Sequence, residues 1–356
     1  MANLTFLAGE SALALIRDGG LDEASVKVVA GAAGGPKWLV LSHLDRAIFG
    51  EWFKDRAQPL FLLGSSIGAW RFAAVCRKNM RETIDSFEHE YLHQSYQSAR
   101  PSPEEVTRGS LHIQKTYLSD RGIREVLDHP QFRLNILAVR CKGIAGSRNR
   151  YVLGLALLMA IGLNTLSRKY LGLMFERALF SDPRDTPPFF EMNEFPISKT
   201  PLTERNLRKA LLASGSIPMV MSEVTDIPGA AAGVYRDGGV IDYHLDLPLL
   251  PEDGVALFPH YMDRIIPGWF DKRRTSRRPK PEHMKNVLLV APSAEFVAGL
   301  PNGKIPDRDD FIAFQGRDDE RRKVWKTVIE QCRALGEEFL ETVASGRIRH
   351  AVRPLF

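Results

Sequence analysis

The stretch Leu60-Phe61-Leu62-Leu63-Gly64-Ser65-Ser66-Ile67-Gly68-Ala69-Trp70-Arg71-Phe72-Ala73-Ala74-Val75 decides how this chain is read. Its apolar start reads as a buried strand and its end as a helix. Between them Gly64-Ser65-Ser66-Ile67-Gly68 has the G-x-S-x-G form of a nucleophile elbow. A serine hydroxyl is a weak nucleophile. It gains reach on a sharp strand-to-helix turn, where Gly64 and Gly68 keep side chains away from an approaching substrate. Ser66 is therefore the first candidate catalytic residue.

Upstream, residues 26–30 read as a second buried strand, followed by Gly31-Ala32-Ala33-Gly34-Gly35-Pro36 and a helical pattern over 37–49. Pro36 suits a first helical position, where its missing N–H costs nothing. The two strands and the helix between them form a β-α-β unit, so the Gly-rich loop and the elbow leave the carboxyl ends of neighbouring parallel strands. Gly34, Gly35 and Lys37 stand where backbone N–H groups at a helix start would hold an oxyanion. A phosphate-binding P-loop reading of the same segment fails at Pro36 and Trp38, where a glycine and a magnesium-binding hydroxyl would be needed.

Downstream, Arg236-Asp237-Gly238-Gly239-Val240 places a carboxylate before two glycines, a turn that presents Asp237 without a side chain blocking it. Asp237 could act as base for Ser66. The remaining pattern predicts a helix over 80–98, a strand over 134–139, a helix over 203–213, strands over 233–235, 255–258 and 286–290, and a charged helix over 318–343. Alternating strands and helices predict an α/β fold.

Together the loop, the elbow and the Asp-Gly-Gly turn resemble the patatin-like phospholipases, lipid acyl hydrolases with a Ser-Asp dyad. The resemblance covers residues 26–248. It implies a three-layer α/β/α sandwich with a mainly parallel central sheet, as one domain over 1–356 with 249–356 an extension packed on it. Ala33-Gly34-Gly35-Pro36-Lys37 matches the centre of that family's oxyanion loop, with Ala32, Ala33 and Trp38 replacing its leading Asp, first Gly and closing Gly. Ser66 is then the implied nucleophile, Asp237 the implied base, and Gly238 and Gly239 complete the D-G-G motif. Ala213-Ser214-Gly215-Ser216-Ile217-Pro218 looks like the small-residue segment preceding that motif, while the Asn usually found after it is absent from Ile241-Asp242-Tyr243-His244. The implied substrate is a phospholipid or other lipid ester, cleaved through an acyl-enzyme with no cofactor.

Other readings compete. His89-Glu90-Tyr91-Leu92-His93 spells the zinc-protease pattern H-E-x-x-H, with Glu125 a candidate third ligand, although Glu88 and Gln94 give this segment the character of a solvated face. A Ser-His-Asp triad could join Ser66 and Asp237 to His260 or His283. A lipid-binding protein that keeps the fold without activity is a third alternative. Asp242, His244 and Asp246, at strand spacing, are expected at the surface, with a metal site left open. The favoured reading assigns no metal.

Of the 356 residues, 44% are hydrophobic, ample for a large core, and 48 Lys plus Arg against 43 Asp plus Glu is too even a balance to demand nucleic acid. Three separated cysteines suggest neither a disulfide framework nor a thiolate metal site, and the N-terminus lacks the form of a signal peptide. A cytoplasmic protein is expected. The apolar run 151–163 is shorter than the ~20 residues that span a bilayer and is expected as a buried core helix, with 151–173 candidates for lining an acyl pocket. Arg148, Arg150, Arg168 and Lys169 beside it leave peripheral membrane contact open. Lys272-Arg273-Arg274-Thr275-Ser276-Arg277-Arg278-Pro279-Lys280-Pro281 is expected as a solvated loop, with an anionic lipid contact as its alternative.

Overall fold

The computed structural model describes residues 2–98, 100–250 and 254–356. Its strands are β1 (Leu4–Ala8), β2 (Val26–Gly31), β3 (Leu60–Ser65), β4 (Phe132–Cys141), β5 (Phe175–Ser181), β6 (Ile197–Pro201), β7 (Val234–Asp237), β8 (Val255–Pro259), β9 (Val287–Pro292) and β10 (Val352–Pro354). All ten join one sheet in the order β10-β1-β9-β8-β2-β3-β4-β5-β6, with β7 pairing β4. Pairing is parallel except for β1 with β9, β5 with β4 and β7 with β4. Helices cover the sheet in a three-layer α/β/α arrangement. The central strands are buried along almost their whole length, which explains why β2, β3, β8 and β9 read as nearly continuous apolar runs, interrupted in β2 only by Lys27, rather than alternating ones.

Residues beyond 248 supply β8 and β9, which lie between β2 and β1. The helix after the elbow, Ile67–Val75, is buried at every position. Its Arg71 forms a two-pronged ion pair with Asp45, at 2.7 and 2.8 Å, on the helix Ser42–Ala47. Trp70 Nε1 donates to the Leu211 carbonyl at 2.7 Å. The elbow helix is thus clamped to the segment that follows the Gly-rich loop and to the helix Leu207–Gly215.

Several elements differ from the sequence-based expectation. The helix predicted over 80–98 ends at His93, and the charged C-terminal helix is two, Asp318–Gln331 and Arg333–Ala344, meeting at Cys332. Strands β1, β5, β6 and β10 were not expected. In β5 the buried Glu176 and Arg177 break the apolar run, and each is paired, Glu176 with Arg140 and Arg177 with Asp242.

The apolar run 151–163 belongs to the helix Arg150–Leu166, and this helix is not a buried core element. It packs through Leu153, Ala156, Ala160 and Asn164, a narrow face of mostly small side chains. Its larger residues point outward: Tyr151 is 81% exposed, Leu158 66% and Leu166 77%. A length argument cannot tell a helix buried all round from one that carries apolar residues into solvent. No helix among the described residues is long and apolar enough to cross a membrane.

Candidate active site

Strand β4 brings the two halves of the site together. Parallel β3 runs along one side of β4 until Ser65 stands opposite Leu137. Antiparallel β7 approaches from the other end until Asp237 stands opposite Ala138. The two strands therefore meet end to end, with Ser66 one residue past the end of β3 and Asp237 the last residue of β7. Ser66 Oγ donates to Asp237 Oδ2 at 2.6 Å, across a sequence separation of 171 residues.

The elbow is held under strain. Ser66 has φ 55° and ψ −127°, a region costly for a residue with a Cβ. Its amide donates to Ser214 Oγ at 2.8 Å, and that hydroxyl donates to the Leu137 carbonyl at 2.6 Å. The small-residue segment seen in the sequence thus ties the turn to β4, and its Ser216 carbonyl accepts the Asp237 N–H at 2.9 Å. Gly68 is required because a Cβ there would lie 2.1 Å from the Gly31 carbonyl oxygen, where the elbow helix crosses the end of β2. Gly64, the last but one residue of β3, lies beneath the same turn, where a Cβ would stand 2.3 Å from the Ala69 nitrogen.

Asp237 is buried, and Gly239 N–H donates to its Oδ1 at 2.7 Å within the turn that Gly238 and Gly239 form. Burial raises its pKa from 3.8 to about 6, against the opposing pull of the Ser66 and Gly239 hydrogen bonds and of Arg308 and Lys272. The carboxylate is therefore a stronger base than an exposed Asp, yet ionised at neutral pH.

The Gly-rich loop lies beside this pair. Gly35 has φ 56°, a conformation that favours glycine, and Pro36 opens the helical segment Gly35–Leu41. Trp38 is buried and stacks on Phe87 at 4.4 Å, so the position is filled by packing. A relay holds the loop from behind. Ile266 N–H donates to His244 Nδ1 at 3.0 Å, leaving His244 Nε2–H to donate to the Tyr261 hydroxyl at 2.6 Å, which donates to the Ala33 carbonyl at 2.7 Å. Burial holds the His244 pKa well below its usual 6.5, so the ring is neutral.

His244, Asp242 and Asp246 are thus buried, not at the surface as expected. Asp242 receives Arg177 at 2.7 Å through two bonds, and Asp246 receives His283 Nδ1 at 2.9 Å. Their alternation follows the demands of buried partners rather than of solvent. His260, the other triad candidate, bonds the Met262 carbonyl at 2.7 Å through Nδ1, and Asp237 takes Ser66 directly. The His89 and His93 rings stack at 4.1 Å on a helix face where the His89 side chain is 65% exposed, Glu90 pairs with His112, and Glu125 pairs with Arg77. No group of three or more His, Cys, Asp or Glu among the described residues is arranged to hold a metal ion.

Ser66 stands between two cavities. One, of about 310 Å³, is walled mainly by apolar side chains, Trp70, Val106, Ile113, Val220, Met221 and Phe311 among them, with Arg308, Asp309 and Asp318 also on its lining. The other, of about 520 Å³, contains Gly34, Gly35, Asp237 and three cations, Lys37, Lys272 and Arg308. Residues 151–173 line neither. None of the three cations makes an ion pair among the described residues, although Asp307 and Asp309 also border the cavity. Burial and the nearness of Lys37 and Arg308 lower the Lys272 pKa to about 8. Sequence reasoning missed Lys272 and Arg308 as site residues. Lys272 only opens a basic run, and Arg308 sits in a charged loop without periodicity.

That basic run is largely exposed, as expected of a solvated loop, but it is anchored to the protein at several points. Arg277 donates to the Asn164 carbonyl at 2.9 Å, Lys280 pairs with Glu194 at 2.9 Å, and Pro279 is buried, while Arg273 and Arg278 are exposed.

No family model and no curated protein matches the chain. Among solved structures the chain is similar to VipD from Legionella pneumophila, with a TM-score of 0.31 and 12% identity, over 66% of this chain and 50% of that one. The chain thus matches about half the length of that protein, at a level of likeness too low to carry a functional argument.

Proposed function

We propose that the protein is a serine-dependent lipid acyl hydrolase, of phospholipase A or lysophospholipase type, working through a Ser66-Asp237 dyad. The observation that carries this reading is the 2.6 Å bond between a strained, elbow-borne Ser66 Oγ and a buried carboxylate whose pKa is raised to about 6.

In this mechanism Asp237 takes the Ser66 proton as Oγ attacks the ester carbonyl. The Gly34 and Gly35 N–H groups, with the start of the Lys37 helical segment, hold the developing oxyanion. Collapse breaks the ester bond, and the proton passes from Asp237 to the leaving alcohol. Water then attacks the acyl-enzyme with Asp237 again as base, releasing the acid and restoring Ser66. The two cavities divide the substrate. The apolar one receives the acyl chain, and the one with Lys37, Lys272 and Arg308 receives an anionic headgroup.

Labelling of purified protein by a fluorophosphonate probe tests the reading. Labelling of wild type and none of Ser66→Ala is expected, with Asp237→Asn labelled far more slowly. An unlabelled wild type, or a labelled Ser66→Ala, would overturn it.

A further inference from the structure

The helix Arg150–Leu166 is amphipathic in an unusual sense. Apart from Leu153 and Asn164, the residues that face the protein are small, and most of its large apolar residues face outward. Leu155 and Met159 extend the exposed row from Tyr151 through Leu158 to Leu166, and Tyr170 and Leu173 continue it past the helix end. A surface of this kind costs solvation free energy unless something apolar covers it.

The charge around it indicates what does. Residues 142–175 contain no Asp or Glu, and Lys142, Arg148, Arg150 and Lys169 are basic there, while Arg168 is buried against Glu194 and Arg148 pairs with Glu223. The second basic run, 272–281, is equally free of acidic residues and is bound to this helix through Asn164. Asn164 Nδ2 donates to Asp271 Oδ1 at 2.7 Å, and the Asn164 backbone carbonyl accepts from Arg277 at 2.9 Å. Arg150 and Lys169 are exposed beside the exposed Leu and Tyr side chains along the chain, and Arg273 and Arg278 are exposed on the run that Arg277 joins to the same helix. Apolar residues that enter the acyl region and basic residues at headgroup level are what an anionic lipid surface binds.

We infer that the helix Arg150–Leu166 and the run 272–281 form one docking face for the surface of an anionic membrane. The placement links docking to the site, because Asp271, which Asn164 holds, lies between Trp269 and Lys272, and both of these line the headgroup cavity. A protein resting on this face keeps one wall of its cavity against the lipid. The inference stands on surface composition, and its vesicle binding does not require that Ser66 be catalytic.

The test uses the full chain as Ser66→Ala, so that vesicles stay intact, in co-sedimentation with phosphatidylcholine vesicles with and without phosphatidylglycerol. Binding is expected to the anionic vesicles, weakened by salt. The triple variant Leu155→Ser/Leu158→Ser/Leu166→Ser should weaken it by about tenfold or more, and Arg273→Ser/Arg278→Ser should remove most of the preference for phosphatidylglycerol. Circular dichroism checks that the variants fold. In the active background, hydrolysis of a water-soluble short-chain ester should be equal in wild type and triple variant. Absence of hydrolysis in both would count against the proposed activity and leave docking standing. Absence of vesicle binding, or binding that the triple variant retains, would overturn docking. So would a dimer in sedimentation velocity that the triple variant converts to monomer, since a second copy would then be the cover.

Discussion

Ser214 Oγ accepts the Ser66 amide hydrogen at 2.8 Å while donating its own proton to the Leu137 carbonyl at 2.6 Å. One buried hydroxyl thereby fixes a strained turn to the strand on which the site is assembled. Ser214→Ala leaves both a buried N–H and a buried carbonyl unpaired, at a cost of about 1–3 kcal/mol. The expected outcome is a lower melting temperature and a turnover reduced about tenfold. Calorimetry and ester hydrolysis read the two effects separately.

In the proposed mechanism Asp237 sets stability against activity. Folding raises its pKa from 3.8 to about 6, so the folded chain holds the proton more tightly than the unfolded one. The associated stability is full below about pH 4 and is lost as pH rises through about 6, leaving a cost on the order of 3 kcal/mol at neutral pH. Asp237→Asn removes the charge. It should melt above wild type at pH 7.5, with the difference closing below about pH 4, while turnover falls about a thousandfold.

For the proposed hydrolysis the same shift predicts the pH profile. The base must be ionised, so kcat/KM should rise with pH through an apparent pKa near 6 and then level. A profile rising near 4 or near 8 would assign the proton to another group.

Tyr261 positions the Gly-rich loop through the Ala33 carbonyl and does not itself line the cavity containing Ser66 and Gly34. Tyr261→Phe should lower kcat by about tenfold with little change in KM. A merely structural role would instead lower the fraction of active enzyme, which titration with the fluorophosphonate probe would show.

Lys272 and Arg308 should tell anionic esters from neutral ones. Lys272→Ala and Arg308→Ala are each expected to raise KM for an anionic ester by about tenfold and to leave a neutral ester nearly unaffected. Because the Lys272 pKa is lowered to about 8, wild-type KM for the anionic ester should climb above that pH, and the Lys272→Ala profile should stay flat there.

The parts of the site readable in the sequence are those whose backbone demands a particular residue. Ser66 between Gly64 and Gly68, the Gly34-Gly35-Pro36 turn and Asp237 before Gly238 and Gly239 are local solutions to local geometry, and turn chemistry leaves them visible. The buried strands β2, β3, β8 and β9 were visible because nearly all their residues are apolar, Lys27 and Ser65 excepted. What the sequence hid depends on partners far along the chain. Arg177 makes Asp242 a buried residue, the Asn164 backbone carbonyl anchors a largely exposed basic run at Arg277, and the folded loop at 308 brings a guanidinium into a cavity that Ser66 also lines. The helix Arg150–Leu166 misled for a further reason. Periodicity shows which residues share a face, but not whether the larger side chains of an all-apolar helix turn inward.

The end-to-end meeting of β3 and β7 makes β4 a ruler. The separation between hydroxyl and carboxylate is set by two registers counted along one strand, Ser65 at Leu137 and Asp237 at Ala138. A slip of a single residue in either would shift one partner by about 3.3 Å, more than the length of the bond between them. The pair therefore exists only when segments 171 residues apart are both seated. During refolding, the ability to react with an active-site probe should appear with the last of these pairings, so that covalent labelling reports the completion of the sheet.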